Sequence, residues 1–246
     1  MINIVIPMAG AGSRFVQAGY SKPKPFIDVC GKMMIERVLD NLKMNECRFI
    51  IIARTEHLIS EKDAVAKLKE QYNCRILSIN KLTEGAACTI LLSAWETNND
   101  DPLLLANSDQ IVEADLNLYI NDCDVRNLDG SILTFYADHP KWSYAKVDEN
   151  GYLVELREKQ VISKHATVGL YYYRRGRDFV NSAIEMIANN DRVNNEFYTA
   201  PAYNYSLGAG LKIGIYEIKE AEMFGLGTPE DLDVYVKHLK RKGECT

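Results

Sequence analysis

The stretch with the clearest chemical potential is Pro7-Met8-Ala9-Gly10-Ala11-Gly12-Ser13-Arg14, followed closely by Ser21-Lys22-Pro23-Lys24-Pro25. Glycines directly after a strand let backbone N–H groups come close to an anion, and Arg14 with Lys24 would bring two cations to the same place. A polyphosphate fits that combination. Two common phosphate loops do not. The dinucleotide fingerprint G-x-G-x-x-G needs a third glycine where Phe15 stands, and the following strand ends in Ala53-Arg54 rather than in an acid for a ribose hydroxyl. A P-loop requires a glycine followed by Lys and Ser or Thr, and no such run occurs. Here the cations come after the glycines, on a loop stiffened by Pro23 and Pro25. The competing reading is that Gly10 and Gly12 only turn a tight loop.

The elements that must position this loop alternate regularly through the first half of the chain. Ile2 to Pro7 is a short apolar run of the kind that forms a buried parallel strand. A helical pattern covers Met33 to Leu42, a β-branched strand Phe49 to Ile52, and a charged periodic helix Glu56 to Tyr72 with Leu58, Val65 and Leu68 on its apolar side. Arg75 to Ile79 reads as a strand, Ala86 to Thr97 as a helix, and Leu103 to Ala106 as a strand buried on both faces. The expectation is an α/β fold, a doubly wound three-layer sheet. After about Gly130 the pattern becomes mixed α+β, with strands at Ser131 to Tyr136, Tyr144 to Val147, Tyr152 to Leu156 and Val168 to Tyr173. A further strand at Lys212 to Ile218 lies between helices at Arg177 to Ala188 and Pro229 to Lys240. The last helix has Thr228 as N-cap, Pro229 at its first position and acids in its first turn.

The 246 residues are 47% apolar and 26% charged, enough to bury one large core, so a single domain is expected. No apolar run approaches the roughly 18 residues of a membrane span, and the first ten residues do not read as a secretory signal. A soluble, cytoplasmic protein follows as the expectation. The net charge of −5 argues against a nucleic-acid coat, which would need a basic face. Six scattered cysteines, with no CxxC pair, read as reduced and mostly buried thiols, with neither a zinc site nor a disulfide framework. The four histidines lie far apart and have no serine or cysteine in a nucleophile context, so a hydrolase triad is not expected.

The stretch Gly10 to Arg14, an insertion, and Pro23-Lys24-Pro25 together resemble the signature of sugar-phosphate nucleotidyltransferases of the nucleotide-sugar pyrophosphorylase type. The resemblance covers nearly the whole chain. It implies a three-layer Rossmann-like nucleotidyltransferase fold with a mostly parallel central sheet. Residues 1–129 would form the nucleotide-binding half and residues 130–246 a smaller acceptor-binding half of one domain, 1–246. In that pattern Ala9, Gly10, Ala11, Gly12 and Ser13 cradle the nucleotide, and Asn80, Glu84 and Gly85 fall where the base is read. An ordinary loop before a helix is the alternative for the last three.

Asn107-Ser108-Asp109, straight after the apolar Leu103 to Ala106, is similar to the family's strand-end acid. Asp109 would hold Mg²⁺ and Ser108 would join the nucleotide contacts. Glu158-Lys159 resembles a Glu-Lys-Pro stretch whose lysine meets the acceptor phosphate, with Gln160 in place of the proline; a surface ion pair is the competing reading. Gly169 matches the acceptor-binding strand and Glu196 a region that bounds the acceptor. Gly225-Leu226-Gly227-Thr228 resembles the closing motif, but Gly225 stands where that motif usually carries an aspartate. The second carboxylate of the metal site is therefore missing, to be replaced by water, by another acid, or not at all. Tyr171-Tyr172-Tyr173 could stack on a base or sugar or could be packing.

The implied reaction is transfer of a nucleotidyl group from a nucleoside triphosphate to a phosphorylated small molecule, with pyrophosphate released and Mg²⁺ as cofactor. Arg14 would face the leaving phosphates, Lys24 the α-phosphate and Lys159 the acceptor phosphate. Three other readings stay open: a cytidylyltransferase acting on a non-sugar phosphate, a glycosyltransferase of related architecture, and a nucleotide sensor without chemistry. The partners expected are these small molecules, with neither nucleic acid nor membrane, and a homodimer is left open by the residues. Surface-polysaccharide precursor synthesis is the role the resemblance suggests.

Overall fold

The computed structural model describes residues 1–245. Strand β1 (Ile2–Met8) leads into the glycine loop and the short helix α1 (Ser13–Gln17). The hairpin β2 (Asp28–Val29) and β3 (Lys32–Met33) comes next, then α2 (Met34–Leu42), β4 (Cys47–Arg54), α3 (Thr55–Ser60), α4 (Lys62–Gln71) and β5 (Cys74–Ile79). The chain continues through α5 (Ala86–Leu91), α6 (Ala94–Thr97), β6 (Leu103–Ala106), β7 (Gln110–Val112) and α7 (Leu116–Val125). Four strands follow: β8 (Gly130–Tyr136), β9 (Ser143–Val147), β10 (Leu153–Glu158) and β11 (His165–Tyr173). Helices α8 (Gly176–Ala188) and α9 (Ala202–Gly208), strands β12 (Ile213–Ile218) and β13 (Met223–Gly225), and helix α10 (Pro229–Arg241) complete the order.

Nine of the strands form one sheet, ordered β10-β9-β11-β6-β1-β4-β5, with β8 also on β11 and β12 on β8. The run β6-β1-β4-β5 is parallel, as its continuous apolar strands require. Alternation along each strand divides the core into two layers. On β1 the side chains of Ile4, Ile6 and Met8 enter one cluster and Val5 the other; on β4 Phe49, Ile51 and Ala53 enter the first and Ile50 and Ile52 the second. The fold is therefore a three-layer α/β arrangement, Rossmann-like in its parallel part. The sheet does not stop at residue 130, because β11 pairs antiparallel with β6 and carries the later strands.

Strand β11 is unusual in having its edge shared. Its C-terminal part, Leu170 to Tyr173, pairs with β6, while His165 and Ala166 pair with β9 on the same side. Between them the pairing with β8 shifts register, at a stretch containing Gly169, whose φ is +89°. The seam between β6 and β9 is where Asn107, Ser108 and Asp109 leave the sheet.

Three expectations need correction. The helix expected over Glu56 to Tyr72 is two helices, broken at Glu61, where φ −112° and ψ 34° leave the helical region. The helix expected over Ala86 to Thr97 is also two, because Ser93 is buried and its hydroxyl bonds back to Ile90 O at 2.7 Å, competing with the helical ladder. Not all cysteines are free thiols: Cys30 and Cys245 are disulfide-bonded, with Cα atoms 5.0 Å apart. Helix α10 carries the C-terminal residues back beside the β2–β3 hairpin, a juxtaposition that spacing along the chain does not reveal. Of the free cysteines only Cys123 is buried; Cys47, Cys74 and Cys88 are half-buried. Helices α7 and α9 and the β7–β13 pair have no counterpart in the sequence reading.

Candidate active site

The glycine loop and the lysine loop fit together through a missing side chain. Gly12 adopts φ +62°, a left-handed conformation that disfavours other residues, and a Cβ placed on it would lie 3.2 Å from Cβ of Lys24. Lys24 therefore packs directly on the glycine turn, held by the 3₁₀ turn Lys24–Phe26, whose Pro25 and Phe26 are buried. Phe15, standing where a dinucleotide loop has its third glycine, is buried as well, with Lys24 Nζ 6.0 Å from its ring centroid. The amides of Gly10 to Arg14 have no backbone partner among the described residues, the first satisfied ones being Phe15 and Val16, which both donate to Gly12 O.

Across the seam, the Lys24 ammonium forms a half-buried ion pair with Asp109 Oδ2. An ammonium has three donors, so further acceptors can be met by the same group. The Asp109 backbone is fixed in turn, since its carbonyl accepts from Leu226 N at 2.7 Å beside the β7–β13 ladder.

Asp109 and Arg14 line one cavity of about 650 Å³ together with Glu158, Lys159 and Gly169. Glu158 is buried and accepts from the Ser143 hydroxyl, and burial raises its pKa above the usual carboxylate value, with the Ser143 hydrogen bond and the Lys159 charge opposing. Lys159 is exposed at the cavity rim and donates to Tyr198 Oη at 2.6 Å. Successive residues of a strand face opposite sides, yet both Glu158 and Lys159 reach the cavity. The left-handed φ of +55° at Lys159 ends the alternation and makes this possible. At Gly169 a Cβ would fall 2.0 Å from Gln110 Oε1 and 2.4 Å from Asn107 Nδ2, two side chains that bond each other at 3.1 Å and fill the bend.

Other residues singled out from the sequence lie elsewhere. Neither Lys24 nor the loop Ala9 to Ser13 is part of the cavity wall, and Ser108 is likewise not part of the lining. Asn80 is exposed and accepts from the Thr55 hydroxyl at 2.7 Å, and Glu84 is ion-paired with Arg192 at 2.7 Å. Gly85, at φ +124°, is pressed against backbone: a Cβ there would lie 2.4 Å from Phe197 O. Its neighbour Ala86 does reach the cavity. Glu196 is exposed in a tight turn with Val193, beside Tyr198 but outside the lining. The three tyrosines of β11 are all buried: Tyr172 and Tyr173 serve as packing, Tyr173 stacked on Tyr203 at 4.5 Å between centroids, whereas Tyr171 also lines the cavity.

Sequence reasoning missed Gln110, Trp142, Ser143, Tyr198 and Thr199, which also line the cavity. For Gln110, Tyr198 and Thr199 the signal was proximity to Asp109 and Glu196; for Trp142 and Ser143 none was available before β9 was seen to pair with β11.

A family model described as "Nucleotidyl transferase" matches residues 4–201. The chain belongs to the nucleotidyl transferase family. The nucleoside-diphosphate-sugar pyrophosphorylase from Vibrio cholerae RC9 superimposes on this nucleotidyl transferase with a TM-score of 0.80 and 25% identity, covering 95% of this chain and 99% of that one. A UDP-glucose pyrophosphorylase solved with UDP-glucose shares the fold at a TM-score of 0.79 and 17% identity, over 98% of this chain and 100% of that one. Among curated proteins, the bifunctional protein GlmU of Methanococcus aeolicus is 25% identical over 175 residues, 70% of this chain. This chain spans only 40% of that relative's length.

The family resemblance implies Mg²⁺, and the donor chemistry here suits it. Asp109 already holds one cation, the Lys24 ammonium. Among the described residues no three His, Cys, Asp or Glu side chains gather into a metal cage. Mg²⁺ is commonly held by one or two carboxylates, with substrate phosphates and water completing its shell.

Proposed function

We propose that this nucleotidyl transferase moves a nucleoside monophosphate from a nucleoside triphosphate onto a phosphorylated small molecule, a sugar 1-phosphate, with release of pyrophosphate. One observation carries the reading. Arg14 and Asp109, the latter paired with Lys24, line a single cavity together with Glu158 and Lys159. Such a cleft accepts two anionic substrates side by side. Its cations offset their mutual repulsion, and no protein nucleophile is required.

In this reading an acceptor phosphate oxygen attacks the α-phosphorus, and the bond from that phosphorus to the bridging oxygen breaks as pyrophosphate departs. Arg14 faces the leaving phosphates, Lys24 the α-phosphate as its charge redistributes, and Lys159 the acceptor phosphate. Buried Glu158 accepts from an acceptor hydroxyl. Asp109 would hold Mg²⁺, which would supply charge neutralisation at the triphosphate. The loop residues Ala9 to Ser13 and Ser108 contribute nucleotide contacts, Asn80, Glu84 and Gly85 bound the base, and Gly169 and Glu196 bound the acceptor. The reaction belongs in the cytoplasm, as a supply of nucleotide sugars for polysaccharide synthesis, with residues 1–129 serving the nucleotide and 130–246 the acceptor.

The test is a pyrophosphate-release screen of the common nucleoside triphosphates against a panel of sugar 1-phosphates and phosphorylated alcohols, with and without Mg²⁺. Release that depends on both a sugar 1-phosphate and the metal is expected. Triphosphate binding with no release for any acceptor would refute the assignment.

A further inference from the structure

We infer that Asp231, in the first turn of α10, supplies the second carboxylate of the metal site; this rests on the Mg²⁺-assisted reading above. The geometry is carried by two glycines at the end of β13. A Cβ built on Gly225 would lie 3.8 Å from both Cγ and Oδ2 of Asp231, with nothing nearer, and one built on Gly227 would lie 3.4 Å from Oδ2 of Asp109. Gly225 and Gly227 thus make a bare ledge with one carboxylate over each end. Both acids and both glycines line the same cavity. The ledge is held in place, since Leu226 between them donates to the Asp109 carbonyl at 2.7 Å.

An acid in a first helical turn is favourable in its own right, and Thr228 caps this helix by accepting from Asp231 N at 3.1 Å. That does not account for the side chain. Glu230, in the same turn, is exposed, whereas Asp231 is half-buried against the cavity. Its carboxylate makes no ion pair or hydrogen bond among the described residues. Lys24 is engaged by Asp109, and Lys141, which lines the same cavity, forms no ion pair with Asp231 among the described residues. Two carboxylates over one ledge of a cavity built for polyphosphate repel that ligand unless a cation lies between acid and ligand. Asp231 approaches from α10 the place that an aspartate at 225 would reach from β13, and so replaces it.

The experiment uses Mn²⁺ as the probe, titrated into the full chain with ATP, GTP, CTP, UTP or dTTP in turn and no acceptor, the free ion being followed by electron paramagnetic resonance. Asp231→Asn is expected to weaken Mn²⁺ binding in the ternary complex by about 10- to 100-fold, and to lower the melting temperature of the free protein by no more than about 2–4 °C, the loss of one helix-terminal charge. Adding Gly225→Asp to that variant is expected to restore binding, because Gly225 lacks a positive φ and has space for a Cβ. Unaltered Mn²⁺ affinity in Asp231→Asn, or loss that Gly225→Asp fails to restore, overturns the inference while leaving the proposed activity standing. If the unmodified protein binds no Mn²⁺ with any triphosphate, the metal-assisted reading itself falls.

Discussion

Replacing Gly85, the residue before the cavity-lining Ala86, by alanine should be strongly destabilising. Its backbone, at φ 124° and ψ 173°, lies in a region that only glycine occupies readily. The added methyl would stand 2.4, 2.6 and 2.8 Å from O, N and C of Phe197, and a peptide group cannot swing aside as a side-chain tip can. Relief requires the two segments to part, and they are clamped by Phe197 N donating to Glu84 O at 2.7 Å and Ala87 N to Phe197 O at 3.0 Å. Backbone strain of about 1–3 kcal/mol and two hydrogen bonds at about 1 kcal/mol each together cost about 3–5 kcal/mol. A chain of this length loses about 2–4 °C of melting temperature per kcal/mol, so a fall of about 6–20 °C is expected by calorimetry. Gly208→Ala is the control: no atom lies within 4 Å of its Cβ, and it sits at the end of α9, so its melting temperature should hold or rise. A Gly85→Ala protein that melts within about 2 °C of the parent would refute the clamp.

Three further outcomes are expected. Lys24→Ala should retain the melting temperature and lose turnover by about 10²- to 10³-fold, measured as pyrophosphate release; unchanged kcat would remove Lys24 from the mechanism. Burial holds the Glu158 pKa above its ordinary value of 4.5, so the native state favours the protonated form. The contribution of that proton is complete below the ordinary value and is lost as pH rises through the elevated one. Glu158→Gln should therefore melt higher than the parent at neutral pH, the gap closing towards about pH 4; a gap constant with pH would contradict the burial argument. Finally, the Cys30–Cys245 bond closes a separation of 215 residues, and its reduction should destabilise the protein by about 2–5 kcal/mol. Dithiothreitol should lower the melting temperature of the parent and leave that of Cys245→Ser unaffected.

Much of this architecture was legible because local signals and tertiary demands agree. The apolar runs at β1, β4 and β6 could only be strands buried on both faces, and the Thr228-Pro229 start of α10 is observed as read. The Gly12–Lys24 packing was foreshadowed by cations trailing glycines, although its cause, a Cβ-to-Cβ approach, is invisible in one dimension. What escaped were long-range encounters: β13 with β7, Cys30 with Cys245, and Asp231 with the ledge at Gly225. Each joins residues whose own neighbours look ordinary; Asp231 reads from the sequence only as an acid at a helix start. The breaks at Glu61 and Ser93 were missed because helical periodicity continues across them while the backbone does not.

The shared edge of β11 also has a bearing on how such an enzyme can diversify. One end of that edge answers to β6 and hence to the Asn107–Asp109 turn, and the other end to the β9–β10 hairpin, which carries Ser143, Glu158 and Lys159. With Gly169 bending the strand between them, the hairpin can be redrawn in length or chemistry without disturbing the register that holds Asp109. A new acceptor could then be recruited by editing one hairpin, leaving the donor apparatus untouched.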